Sequence, residues 1–324
     1  MSNMSTMQVR VKSKWQCAEE VAAFELVDAV NENAPLPPAQ AGAHIDVHLP
    51  NGLVRQYSLT DCCSDACSYV IGVKREPNSR GGSAAMHELV KPGDVLQVSL
   101  PRNNFPLQKT GGPILLIAGG IGITPLLAMA RSLAADPASR DQYALHYFCR
   151  SPLHAAFSNE IAALQQADGM VYGADVNETA TRIRQLLQQR PDGAHLYTCG
   201  PGPMIATVVA TARECGWPEE AIHVEYFSNQ VDHGSERPFR VRCANSNLEF
   251  QVAVGQSIVE AAAEAGLAIA TSCEQGVCGT CLTNVLSGQP DHRDLYLTEA
   301  EKASGKQILP CVSRCSGDEL VLDL

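Results

Sequence analysis

The sequence predicts a multidomain chain: an antiparallel β-barrel, a doubly wound α/β domain and a small third domain built around a cysteine loop. Three observations predict it. Residues 7–105 hold short, mostly alternating segments rich in Val, Ile and Leu. Residues 113–228 alternate apolar runs with stretches of helical period. Cys273, Cys278 and Cys281 fall within a single short loop. A length of 324 residues allows two or three domains, and 45% apolar residues is enough for packed cores.

The barrel comes first, over 1–108. "QVRVKSK", "AFELVD", "HIDVHL", "RQYSL", "YVIGVKR" and "VLQVSL" read as strands. Asn51-Gly52 fits a hairpin turn and Lys91-Pro92-Gly93-Asp94 another turn. Six strands in so short a stretch suit a small antiparallel barrel.

The α/β domain follows, over 109–228. "PILLIAGG" is a continuously apolar strand of the kind a parallel sheet buries on both faces. "PLLAMARSLAA" continues at helical spacing. "YALHYFCR", "GMVYGAD", "AHLYTCG" and "IHVEYF" are further strands, separated by the helical stretches "NEIAALQQA", "TRIRQLLQQ" and "PMIATVVATARECG". The uncharged run 110–130 is not read as a membrane span, because five glycines and two prolines interrupt it. Residues 229–237, "NQVDHGSER", are polar and read as a linker. From 238 to 324 come "FRVRCANS", "LEFQVAV", the helix "SIVEAAAEAG", the cysteine loop and a last strand "ELVLDL".

A net charge of −11 argues against nucleic acid or an anionic membrane as partner. The N-terminus has no apolar signal segment, so a cytoplasmic location is expected. The 13 cysteines are then thiols or metal ligands rather than disulfides. Cys17, Cys62, Cys63, Cys67, Cys149, Cys215 and Cys243 fit plain thiols.

"TSCEQGVCGTCLTN" has the spacing C-x4-C-x2-C, with Cys311 far downstream, which is the plant-type [2Fe–2S] pattern. Zinc usually takes two short pairs, and only one C-x2-C is present. Gly276 and Gly279 let the loop fold tightly and turn N–H groups toward sulfur. Spacing alone leaves Cys311 and Cys315 as candidates for the fourth ligand. The block resembles plant-type ferredoxins, whose last ligand opens a Cys-Val step as Cys311-Val312 does. That resemblance implies a β-grasp fold and the ligand set Cys273, Cys278, Cys281 and Cys311.

"RQYSL", 55–59, carries an R-x-Y-S pattern and resembles the ferredoxin–NADP reductase superfamily. The resemblance implies that Arg55 meets a flavin phosphate, that Tyr57 packs on the isoalloxazine and that Ser58 bonds near N5. Gln56, Gly72, Val73 and Lys74 are expected beside them. Arg80-Gly81-Gly82-Ser83 precedes a helix-like segment. Free N–H groups, the Ser83 hydroxyl and the Arg80 charge make an anion site there. An arginine beside the glycines, with no aromatic in 76–86 for an adenine to stack on, favours FMN over FAD.

"AGGIGITP", 118–125, is related to, but is not, a full dinucleotide fingerprint. Gly119, Gly120 and Gly122 let the backbone approach a pyrophosphate, with Thr124 expected as helix N-cap and Pro125 as the first helical residue. "YTCGPGPM", 197–204, resembles the superfamily's second motif, which implies Cys199 beside the nicotinamide C4 with Gly200 and Pro201 completing the turn. In "VEYF" the same resemblance makes Phe227 the cover of the flavin ring, with Glu225 nearby. Arg150 stands alone after "YFC", where a 2′-phosphate would call for a basic cluster, so NADH is favoured over NADPH.

The order barrel, sheet domain, C-terminal ferredoxin covers almost the whole chain. It resembles the phthalate dioxygenase reductase family, which includes vanillate O-demethylase reductases; "PRNNFPL", "PDHRD" and "ELVLDL" fit. The resemblance implies a monomeric flavin- and iron–sulfur oxidoreductase with Ser58, Cys199 and Phe227 at its reacting centre. It would supply electrons to a Rieske non-haem iron oxygenase, with an aromatic acid as the final substrate. From 238 on there are 11 acids and 6 bases, which suits a basic docking face. Two alternatives stand beside it: an FAD-dependent reductase of a diiron monooxygenase, and a flavin and iron–sulfur redox sensor.

Overall fold

The computed structural model describes residues 5–62, 67–77, 81–108, 111–164, 169–229 and 236–324. The chain divides into two compact units, one ending at Phe227 and the other running Ser228–Leu324. Among the described residues no helix is long and apolar enough to cross a membrane.

In the first unit, β1 (Thr6–Ala18), β2 (Val21–Asp28), β3 (His44–His48), β4 (Val54–Ser58), β5 (Ser68–Lys74) and β6 (Val95–Ser99) form a six-stranded sheet in the order β4-β3-β6-β1-β2-β5. A bridge between Leu59 and Ile71, and the Thr60 N–H on Val70 O at 2.9 Å, join its two end strands and close the barrel. Alternation sends Val9, Val11, Phe24, Leu26, Ile45, Val47, Ile71 and Val98 into one interior. Helix α1 (Gly82–Glu88) lies between β5 and β6 in the chain.

The second sheet of this unit holds β7 (Ile114–Gly119), β8 (Tyr143–Cys149), β9 (Gly169–Tyr172), β10 (His195–Cys199) and β11 (Ile222–Glu225), all parallel, in the order β11-β10-β7-β8-β9. Helices α2 (Ile123–Ala135), α3 (Ser158–Ala162), α4 (Val176–Leu187) and α5 (Gly202–Glu214) connect them. The Asp175 side chain caps α4 by accepting from Glu178 N at 2.8 Å. α3 is shorter than the sequence period suggests, and residues 165–168 lie outside the described residues. From β7 the chain adds β8 and β9 on one side, then returns to add β10 and β11 on the other. That reversal between β7 and β10 opens a crevice at the carboxyl ends of the strands. Val21, Ala23 and Phe105 of the barrel half pack in one core with Leu116, Ile123 and Tyr197, so the two sheets are fused.

The second unit is a mixed sheet with a helix across it. Its elements are β12 (Phe239–Cys243), β13 (Glu249–Val252), α6 (Ile258–Glu264), β14 (Thr283–Ser287), β15 (Pro290–Asp291), α7 (Glu299–Ser304), β16 (Gln307–Ile308), β17 (Arg314–Cys315) and β18 (Glu319–Leu322). The main sheet runs β13-β12-β18-β14-β16, with β12 and β18 parallel at its centre. Ile258 and Ala261 of α6 bury against Val241, Val252, Leu320 and Leu322. Ser257 and Glu260 close a reciprocal cap at the start of α6, and Thr298 and Glu301 do the same for α7. This is the β-grasp expected of the block.

Candidate functional site

The cysteine loop lies between α6 and β14. Its four candidate ligands are all buried, and they stand as two pairs. Cys273 stands beside Cys278, and Cys311 beside Cys281. Among the described residues no three metal-binding side chains gather round one point. Two irons that each take two thiolates fit this arrangement. The Cys278 thiol is held down to about 6, chiefly by the bond from Cys273, which pushes Cys273 up in turn. The N–H of Gln275 reaches Cys273 Sγ at 3.3 Å and that of Thr280 reaches Cys278 Sγ at 3.5 Å. Such donors favour thiolate.

Gly276 and Gly279 both have left-handed backbone, with φ of +69° and +73°. A Cβ on Gly276 would stand 2.5 Å from Val312 Cγ2, and one on Gly279 would stand 2.3 Å from the Tyr296 ring. Cys315 belongs elsewhere. It packs in the β-grasp core, takes the Gly317 N–H at 3.2 Å and faces Glu319 O. Cys311 shares a separate small cluster with Cys281, Leu297 and Leu309.

In the barrel, the two halves of the anion motif meet. A Cβ on Gly82 would lie 2.7 Å from Arg55 Cγ and Nε, so the guanidinium stem crosses the first residue of α1. Arg55 Nη1 also donates to Val54 O at 2.7 Å. Gly81 precedes the helix with φ +92° and receives Asn51 Nδ2 on its carbonyl at 3.3 Å. The Ser83 hydroxyl accepts from Glu76 N at 3.0 Å. Arg80 lies outside the described residues. At the end of β4, Ser58 is buried and the Tyr57 phenol is pushed up by burial, so it stays neutral. The buried Gln56 Nε2 has no hydrogen-bond partner. Val73 faces the barrel core, its carbonyl meeting His87 Nε2 at 2.8 Å, and Lys74 pairs with Glu76.

At the crevice, the two glycine motifs pack backbone against backbone. A Cβ on Gly122 would stand 2.3 Å from Cys199 O, and one on Gly200 would stand 3.0 Å from Gly119 Cα. Gly119 is equally tight against Pro201 and Met204. The Thr124 expectation needs correcting. A tight turn over Gly120–Gly122 runs straight into α2, so Gly122 is the cap, Thr124 lies in the first turn with its hydroxyl on Ile121 O at 3.1 Å, and Pro125 is the third helical residue.

Cys199 pairs in register with Glu225 across β10 and β11. The Cys199 thiol is fully buried, and burial first, then Glu225, pushes it well up. Glu225 is part-exposed as a residue, but its Oε2 is sealed and unpartnered, and burial pushes the carboxyl up to about 8. Phe227 packs on the same core. Arg150 is paired with Glu20 at 2.6 Å.

One contact joins barrel to crevice. A Cβ on Gly72 would stand 3.0 Å from Thr124 Cγ2 and 2.8 Å from Phe157 Cε2. Phe157 is a residue that sequence reasoning missed. It has left-handed φ of +59° and is fully buried, and nothing in "HAAFSNE" marks it. Tyr296 was missed too, although the large residue after "HRDL" faces a glycine of the cysteine loop.

Residues 241–316 match the 2Fe-2S iron–sulfur cluster binding domain family, and residues 98–222 match the N-terminal domain of dimethylamine monooxygenase subunit DmmA-like proteins. The chain is 43% identical over 325 residues to vanillate O-demethylase oxidoreductase of Pseudomonas sp. (strain HR199 / DSM 7063), covering 98% of this chain and all of that one. It is 39% identical over 321 residues to phthalate dioxygenase reductase of Burkholderia cepacia, covering 98% and 97%. Its fold superposes on a solved phthalate dioxygenase reductase with a TM-score of 0.78 at 38% identity, covering 99% of this chain and 98% of that one. That structure is described as modular, for electron transfer from pyridine nucleotides to [2Fe–2S]. With likeness of this degree along nearly its whole length, the chain belongs to the phthalate dioxygenase reductase family of oxidoreductases, carrying a fused flavin- and nucleotide-type unit and a 2Fe–2S domain.

Proposed function

We propose that this protein takes electrons from NADH and passes them through FMN and one [2Fe–2S] cluster to a separate Rieske non-haem iron oxygenase that acts on an aromatic acid. It would work as a cytoplasmic monomer. Residues 1–108 hold the flavin, 109–228 the nicotinamide nucleotide and the C-terminal block the cluster. The observation that carries this reading is the Gly72–Thr124 contact, which sets the flavin strand against the first turn of the nucleotide helix. Bound there, a flavin supplies the conversion from two-electron to one-electron chemistry, and the cluster supplies the outward single-electron path.

The chain's own residues supply placement. Arg55 and the N–H groups of Gly82 and Ser83 hold a phosphate, and the unpartnered Gln56 Nε2 is a donor for a ring carbonyl or nitrogen. Ser58 and Tyr57 orient the ring. Gly119, Gly120 and Gly122 admit a pyrophosphate to the amino end of α2, with Thr124 and Pro125 stiffening that turn. Cys199, Gly200, Pro201 and Phe227 line the nicotinamide end. Burial holds Cys199 and Glu225 toward their uncharged forms, so neither presents a full charge at the nicotinamide end. The Arg150–Glu20 pair leaves that arginine engaged, which supports NADH. Cys273 with Cys278, and Cys281 with Cys311, each hold one iron.

Extraction of the flavin and its mass decide FMN against FAD, and steady-state rates with NADH and NADPH decide the donor. Cys278→Ser is expected to abolish reduction of the oxygenase while sparing NADH-driven ferricyanide reduction. Survival of both activities would overturn the electron path.

A further inference from the structure

Phe157 leads into α3 with φ of +59° and ψ of +30°. A bulky side chain rarely takes that left-handed backbone, and where one does its surroundings hold it there. Glycine or asparagine would make the same turn more easily, so the ring, not the turn, is what the position needs. The ring is fully buried and sits in a notch of the barrel. A Cβ on Gly72 of β5 would stand 2.8 Å from Phe157 Cε2 and 3.1 Å from its Cζ. Ala23, the β2 partner of Gly72, belongs to the same buried cluster as Phe157. A glycine inside a strand weakens it and marks a close approach. Here the approaching groups are this ring and Thr124, whose Cγ2 would lie 3.0 Å from the same Cβ.

The segment that carries Phe157 is fixed from two sides. On the barrel side, Glu19 N donates to Leu153 O at 2.7 Å and Arg150 Nη2 reaches Glu20 Oε2 at 2.6 Å. On the sheet side, the Tyr147 phenol oxygen accepts from Ala156 N at 3.2 Å, and that bond is buried. The ring is therefore held against Gly72 by the chain on which it stands.

We propose that Phe157 is a positioning residue for hydride transfer from nicotinamide to flavin: its ring, seated on Gly72 beside Thr124, sets the spacing at which β5 meets the first turn of α2. This rests on the flavin and nucleotide sites proposed above. In that transfer the C4 hydrogen leaves the nicotinamide with both electrons, giving NAD+ and a reduced flavin anion, and no further reactant is needed. Misplacement by about 1 Å costs such a step on the order of 10²-fold. Binding of the dinucleotide rests on the glycine turn and is far less sensitive to that spacing. A ring that only filled the core would alter stability without separating rate from affinity.

The test is a double-mutant cycle between Phe157→Leu and Gly72→Ala. Leucine leaves a gap at Gly72, and the alanine methyl fills part of it; alone, that methyl meets the phenyl ring. The holoprotein is mixed with NADH and flavin bleaching is followed. Each single variant is expected to lower the limiting rate about tenfold, with the Kd for NADH within twofold of wild type and the flavin content per chain unchanged. The paired variant is expected to return the limiting rate to within about threefold of wild type. In the apoprotein, its Tm is expected to lie above that of Gly72→Ala. If Phe157→Leu does not fold, Phe157→Met, closer in volume, takes its place in the cycle.

Limiting rates within twofold of wild type in both single variants overturn the positioning role, as does a weaker Kd with the limiting rate unchanged. Loss of flavin from the single variants makes Phe157 a support of the flavin site and overturns it as well. Rate losses that multiply in the paired variant show that the two residues share no spacing. A paired-variant Tm at or below that of Gly72→Ala overturns the contact itself. A wild-type flavin that NADH does not bleach would instead overturn the electron path, while the Tm values still decide the contact.

Discussion

Replacing Gly276 by alanine separates steric need from simple loop flexibility at the cysteine loop. The residue has φ of +69°, and a left-handed backbone costs a residue with a Cβ about 1–2 kcal/mol. The new methyl would lie 2.5 Å from Val312 Cγ2 and 3.1 Å from Asp294 Cα. Val312 can turn aside, but Asp294 cannot. Its carboxylate accepts from Leu297 N at 2.8 Å, Tyr296 N at 3.2 Å and Ser313 Oγ at 3.3 Å. Forcing a methyl into occupied space adds about 1–3 kcal/mol. The sum, about 2–5 kcal/mol, corresponds to a fall of roughly 10–30 °C in the midpoint of a unit this size. The assay is thermal bleaching of the visible iron–sulfide absorption, with iron counted per chain. Gly255→Ala is the control: its φ is +77°, but no atom lies within 4 Å of the added Cβ, so only the backbone cost applies. If Gly276→Ala holds full iron and bleaches no earlier than the control, the close-approach argument is wrong.

Cys311→Ser should abolish the iron–sulfide absorption, whereas Cys315→Ser should retain it with at most a modest loss of stability; the reverse result would exchange the fourth ligand. Gly82→Val should displace Arg55 and weaken flavin retention by about 10-fold or more, at a loss of about 1.4 kcal/mol per tenfold, read by equilibrium titration of the apoprotein with FMN. Glu225 makes stability depend on pH, because its folded carboxyl is raised from 4.5 to about 8 and the folded state therefore favours the protonated form. Stability is full below about pH 4.5 and is lost as pH rises through about 8, by up to about 5 kcal/mol. Glu225→Gln should therefore match wild type in apoprotein Tm near pH 5 and exceed it near pH 9, and parallel pH profiles would contradict the buried carboxyl.

The legible parts of this chain are those where periodicity and spacing report directly on physics. Alternation along "HIDVHL" and "VLQVSL" gave barrel strands because each buries one face, and the unbroken "PILLIA" gave a parallel strand because it buries both. The cysteine spacing was legible because iron fixes where thiolates must stand. The start of α2 was misjudged because a tight glycine turn can enter a helix without a side-chain cap, which leaves Thr124 with no capping task. Phe157, Tyr296 and the Glu236–Arg293 pair were illegible for another reason. Their roles depend on partners 85, 17 and 57 positions distant, and no local pattern encodes that.

The glycines of the candidate sites divide by the constraint each obeys. Gly276 and Gly279 carry both a left-handed backbone and a close neighbour. Gly72, Gly82, Gly119, Gly122 and Gly200 have φ values any residue adopts, so a close neighbour alone excludes a side chain there. The neighbours are informative: Gly82 meets Arg55, Gly72 meets Thr124, and Gly122 and Gly200 meet the opposite glycine motif. Each of these glycines therefore marks a place where one candidate motif touches another. Alanine at such a position does not loosen a turn; it pushes two motifs apart by part of an ångström. Misplacement on that scale is costly where one group must hand a hydride to another held against it. For that reason Gly122→Ala should impair NADH-driven flavin reduction more than it impairs folding, since its Cβ would strike Cys199 O at 2.3 Å. A variant that unfolds as readily as it loses activity would show that the two loops serve the core alone.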